Sequence, residues 1–164
     1  ITFEAAMPPP AHDAPATPRG CTHLKLRQLA RRVGRHYDAA LRDGSGLKTS
    51  QYSLLATIAS LEPVRPADLA AQMALEPSTL TRNLQPLVAQ GWVVVGAGVD
   101  QRSRLVSLTA TGRAKRQEAQ RAWKQAQLAF NQRLGVEQVA RLHALIDECT
   151  ALLAAEPDEE PDHE

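Results

Sequence analysis

The chain has 164 residues, 43% of them hydrophobic and 23% charged, with a formal net charge of +1. That length suits one domain with a real core, and no apolar run approaches the roughly 20 residues of a membrane-spanning helix. Two cysteines, Cys21 and Cys149, are too few for a disulfide framework and have no partners at zinc-ligand spacing, which suggests a reducing cytoplasm.

The opening "ITFEAAMPPPAHDAPATPRG" has no basic region followed by an apolar core, so it does not read as a secretory signal. Its Pro/Ala content predicts a flexible segment over 1–20, with Met7 as the natural start and an added leader before it. A first helix is expected over 22–42, with Leu26, Leu29, Val33, Tyr37 and Leu41 on one face. "DGSG" breaks it, and Thr49 or Ser50 caps a second helix carrying Tyr52, Leu55, Ile58 and Leu61. "EPVRP" ends that helix, and "PADLAAQMA" is a short third one burying Leu69, Ala70 and Met73.

A fourth helix has Pro77 near its start and Gly91 past its end. Leu80, Leu84, Leu87 and Val88 form its apolar stripe; Ser78, Arg82, Gln85 and Ala89 point the other way, with Thr79 and Thr81 on the flanks. Pro86 removes a backbone donor and predicts a bend. A hairpin follows over 92–108, its turn marked by "GAGVD". Thr109 then caps a long helix, and Gly135 separates it from a last one running to about Ala155, with Val139, Leu142, Leu145, Ile146, Leu152 and Leu153 apolar. The tail, 156–164, reads as acidic and flexible.

Charge is segregated along the chain. Seven Lys/Arg face one acid between Arg19 and Arg42, and eight face one between Gln101 and Arg133. From Leu134 onward there is only Arg141 against nine acids. Such segregation suggests a polyanion-facing side, although solvated helix faces would also produce it.

A short helix, the tight "ALEP" turn and a second helix with a polar face have helix-turn-helix spacing. Arg82 and Gln85, with the hydroxyls of Ser78, Thr79 and Thr81, suit base edges in a major groove, where Arg pairs with guanine and Gln with adenine. The hairpin is then a wing that reaches a neighbouring minor groove. At its tip Asp100 and Arg102 are two apart, on one side of an extended segment, so the carboxylate could fix the guanidinium's direction. An ordinary turn aspartate bonding its own backbone would look the same.

These stretches, "LAAQMALEPSTLTRNLQPLVAQGWV" and then "DQR" before "LVSLTATGR", resemble the MarR family of winged helix-turn-helix regulators. The likeness runs from about Cys21 to Leu153. It implies a mainly α fold with a small β-wing, a single domain over 21–155 with the winged part at about 49–109, and dimerisation helices at about 22–42 and 110–155. It further implies a homodimer on a pseudo-palindromic operator in double-stranded DNA, as repressor or activator, with Arg102 entering the minor groove and Asp100 holding it. This chain departs from the family in having no charge from Trp92 to Val99. That departure either weakens the wing's affinity or moves phosphate contact onto Arg104, Arg113 and the basic fifth helix.

The resemblance also implies a small aromatic or lipophilic effector, for which His36, Tyr37 and Tyr52 are candidates; both tyrosines equally fit as core residues. Peroxide-sensing relatives carry a reactive cysteine near the start of the first helix. Cys21 is therefore a redox candidate and Cys149 a resolving one, against the alternative that each is a small hydrophobe. No catalytic constellation, cofactor loop or metal-ligand spacing is present in the sequence, so an enzyme is not expected. A nonspecific architectural DNA-binding protein is the alternative of another class.

Overall fold

A computed structural model describes residues 18–97 and 104–154; the expected turn aspartate Asp100 and wing arginine Arg102 lie outside the described residues. Six helices and one hairpin follow in the order α1 (Thr22–Ser45), α2 (Thr49–Leu61), α3 (Pro66–Gln72), α4 (Pro77–Ala89), β1 (Val93–Ala97), β2 (Arg104–Leu108), α5 (Ala110–Leu134) and α6 (Val136–Ala154). This is the mainly α fold with a two-stranded wing.

Helix α1 runs through the expected break at "DGSG" and stops at Gly46, whose φ is 71°. The extra turn is held by packing. Gly44 lies so close to α5 that a Cβ there would reach 2.6 Å from the Ala122 Cβ, and the buried Ser45 hydroxyl donates to the Leu41 carbonyl at 2.8 Å. Helix α2 is not capped by Thr49 or Ser50. Lys48 occupies the cap position, and its N–H donates to Gln51 Oε1 at 3.0 Å. The Thr49 N–H is satisfied from another helix, donating to Asp38 Oδ1 at 2.7 Å. That bond holds the Asp38 carboxyl below its ordinary range, against the opposing effect of partial burial.

The α3–α4 turn closes as a Schellman motif: Leu75 N–H donates to the Ala70 carbonyl at 2.9 Å, and Ala74 N–H to the Ala71 carbonyl at 3.1 Å. Ala74 takes the left-handed position, φ 49°, that glycine usually fills. Helix α4 continues through Pro86 to Ala89.

The strands pair antiparallel with Val93 opposite Leu108 and Ala97 opposite Arg104. A third strand segment joins them, which "EPVRP" did not suggest. Val64 and Val106 exchange both backbone bonds, at 3.1 and 2.8 Å. Thr109 caps α5 as expected, accepting from the Gly112 N–H at 3.0 Å. Gly112 has no substitute there, because a Cβ would collide with the Trp92 carbonyl.

One core joins α2, α3, α4 and the hairpin to the end of α1, with Leu41, Leu47, Leu54, Leu55, Ile58, Leu69, Leu80, Leu87 and Val106 fully buried. A second, smaller one joins α1, α5 and α6 through Tyr37, Ala126, Phe130 and Val139. Much of the apolar surface of the long helices stays uncovered. Leu24, Leu26 and Leu29 of α1, and Leu145, Ile146, Leu152 and Leu153 of α6, are all exposed.

Candidate nucleic-acid interface

Pro77 starts α4 with φ already near helical, and Leu80, Leu84 and Leu87 bury one face in the lobe core. The opposite face is thereby turned outward. Ser78, Thr81, Arg82 and Gln85 are exposed on it, while Thr79 is half-buried on the flank. The Thr81 hydroxyl donates back to the Pro77 carbonyl at 2.9 Å, so its remaining capacity toward a base is as an acceptor. Val88, expected on the buried stripe, is 42% exposed. It lies at the stripe's edge, where the helix faces the hairpin across a cavity of about 520 Å³ that Gln85, Val95 and Arg104 also line. Arg104 is exposed at the start of β2, opposite Ala97 on the turn side of the hairpin.

The hairpin root is braced by Glu62, at the end of α2. Its Oε2 accepts the Leu108 N–H at 2.7 Å, and its Oε1 accepts from the Arg113 guanidinium. Arg113, expected to reach phosphate, is thus engaged within the chain. No local signal pointed to this pair, since the partners are 51 residues apart. Thr109 and Thr111 complete the junction by donating to the Gly91 carbonyl at 2.6 and 2.9 Å.

The effector candidates separate. His36 lines a cavity of about 590 Å³ between α1 and the end of α5, together with Leu29, Arg32, Val33, Arg35, Phe130, Arg133 and Leu134. Its Nε2 lies 2.8 Å from the Ala126 carbonyl. Tyr37 and Tyr52 are buried and line neither this cavity nor the one beside the wing. The Tyr37 hydroxyl donates to Gln127 at 2.7 Å, and Tyr52 packs on Trp123 with ring centroids 6.1 Å apart. Burial raises both phenol pKa values, Arg116 partly opposing this at Tyr52. Cys21, at the N-cap of α1, and Cys149, on α6, are both exposed. No group of three or more His, Cys, Asp or Glu side chains among the described residues could hold a metal ion. No helix among them is long and apolar enough to cross a membrane.

Known proteins share this arrangement. A MarR-family model matches residues 45–103. An HTH-type transcriptional regulator of Bacillus subtilis, YwoH, is 30% identical over 94 residues, which cover 57% of this chain and 68% of the relative. The transcriptional regulator MosR of M. tuberculosis, solved in complex with DNA, is 36% identical with a TM-score of 0.64, the match covering 79% of this chain and 98% of that one. A mutant MarR of E. coli complexed with operator DNA shares the fold at 24% identity and a TM-score of 0.67, over 77% and 94% of the two chains. The chain belongs to the MarR family, and is a winged helix-turn-helix transcriptional regulator that binds DNA rather than an enzyme.

Proposed function

We propose that the chain acts as a homodimeric repressor on a pseudo-palindromic operator, and that a small aromatic or lipophilic acid releases it. The observation that carries the DNA half of this reading is the outward face of α4, where Ser78, Thr81, Arg82 and Gln85 stand exposed beside the hairpin that bears Arg104. Gln85 offers a bidentate partner for adenine, and Arg82 stands beside it at the edge of this face. MosR, solved in complex with DNA, supports DNA as the partner of this face, and α4 is seated in a major groove in this reading. Asp100 and Arg102 serve the adjacent minor groove in this reading. The uncovered apolar surface of α1 and α6 supports a second copy as its cover. Two copies related by a two-fold axis explain a palindromic site.

The acid is placed in the cavity beside His36, whose wall combines Leu29, Val33 and Phe130 with the guanidinium-bearing Arg32, Arg35 and Arg133. An effector that favours a DNA-incompetent spacing of the two α4 helices lowers operator affinity by linkage. Selection of bound fragments from a random duplex library tests the reading. Recovered palindromes, and Gln85→Ala losing about 1–3 kcal/mol of discrimination at one base position, are the expected result. Equal affinity for every duplex would leave only the architectural alternative. The exposure of both thiols supports a second mode of release, through oxidation of Cys21 with Cys149 resolving it. Release by peroxide that persists in Cys21→Ser rejects that mode.

A further inference from the structure

Helix α4 lies between two grooves of different chemistry. The wing-side groove is walled by Leu84, Val88 and Val95, and Arg104 is the only charged side chain that lines it among the described residues. The opposite groove, about 140 Å³, separates α4 from the start of α2 and is lined by Lys48, Arg82 and Asn83 among others. Lys48 and Arg82 are exposed, and neither forms an ion pair among the described residues.

A helix with its side chains is about 10–12 Å across, and the major groove is about 12 Å wide. A helix seated there has the two sugar–phosphate strands along its flanks. Side chains that stand across a narrow groove from the helix flank therefore meet phosphate rather than bases. We propose that the Lys48–Arg82 groove is a binding site for a DNA backbone phosphate, and that this flank supplies more of the sequence-independent grip than the wing's first strand. The inference rests on α4 entering the major groove.

The contrast with the wing strand is chemical. Strand β1 is Val-Val-Val-Gly-Ala and offers no cation. Lys48, by comparison, stands on anchored backbone: its own N–H is held by Gln51 and that of the next residue by Asp38. The root of the side chain is fixed while its ammonium stays free to reach. A phosphate between the Lys48 ammonium and the Arg82 guanidinium takes charge-assisted hydrogen bonds from both, and the Asn83 amide adds a neutral donor.

The test is the salt dependence of full-chain binding to a mixed-sequence duplex roughly three helical turns long. Each lost phosphate contact flattens the slope of log affinity against log salt by about 0.9. Raising salt from about 50 to about 200 mM therefore costs Lys48→Gln about threefold less affinity per subunit than the unaltered chain. Arg82→Gln gives a flattening of the same size, Lys48→Arg restores the slope, and Arg141→Gln on α6 leaves it unchanged. An unaltered slope in Lys48→Gln, or an equal flattening in Arg141→Gln, overturns the site. If the unaltered chain itself binds no duplex, the DNA-binding reading fails and the site with it. Binding with an unchanged slope removes the site alone.

Discussion

The lobe from α2 to β2 and the three long helices solve the problem of apolar surface differently. The lobe closes its core within one chain: Leu55, Ile58, Leu69, Leu87 and Val106 are completely buried. The long helices leave theirs open, and Leu153 of α6 is 71% exposed. A periodic apolar stripe establishes that a face wants covering, but says nothing about which surface covers it. The lobe, with the end of α1, thus buries its core within one chain, while α1 and α6 keep apolar faces exposed.

The largest expected effect sharpens that difference. Leu55→Ala empties a site with no exposure and lowers unfolding free energy by about 2–5 kcal/mol in a denaturant titration. Leu153→Ala removes a side chain that is 71% exposed; if a second copy covers α6, its cost appears only through self-association and fades as the protein is diluted. A concentration-independent loss at Leu153 as large as that at Leu55 would break the comparison.

A smaller effect probes the seam between the two regions. Asp38 belongs to α1 yet holds the first N–H of α2. Asp38→Ala is expected to cost about 0.5–1 kcal/mol, in the lower part of the range for a cap because the carboxylate is partly in water. Its folded pKa is lowered, chiefly by the Thr49 N–H, so the stabilisation is present above the ordinary carboxylate range. It is lost as pH falls through the lowered value. The difference in unfolding midpoint between the two proteins should therefore be constant near neutrality and shrink below about pH 4.

The smallest effect lies inside the lobe. Ala74 bears roughly 1 kcal/mol of left-handed strain, and glycine there would relieve it while gaining freedom in the unfolded chain. The net rise in stability for Ala74→Gly is below about 0.5 kcal/mol, read as a small increase in the thermal midpoint.

What could be read in advance divides along physical lines. Local signals worked: Pro77 and Gly91 bracket α4, Thr109 caps α5, and alternation finds β2. The outward set on α4 was equally legible, because helical periodicity places Ser78, Arg82 and Gln85 opposite the leucines. Features created by packing were not legible. "EPVRP" reads as a loop because two prolines flank Val64, and only the approach of β2 makes that residue a strand partner. "DGSG" reads as a break, and only the closeness of Ala122 shows why a glycine sits inside the helix. Lys48 carries no local signal, because a cap position favours Ser, Thr, Asp or Asn. Its interest lies in what faces it across a groove.

The brace at Glu62 carries a mechanical consequence. One carboxylate grips both the last peptide of β2 and the first turn of α5, while its own backbone belongs to the end of α2. The wing therefore has no independent hinge at its α5 end. A tilt of α5 either drags the hairpin's root with it or tears a charged contact. Any motion that swings α5 is therefore geared directly to the angle of the wing.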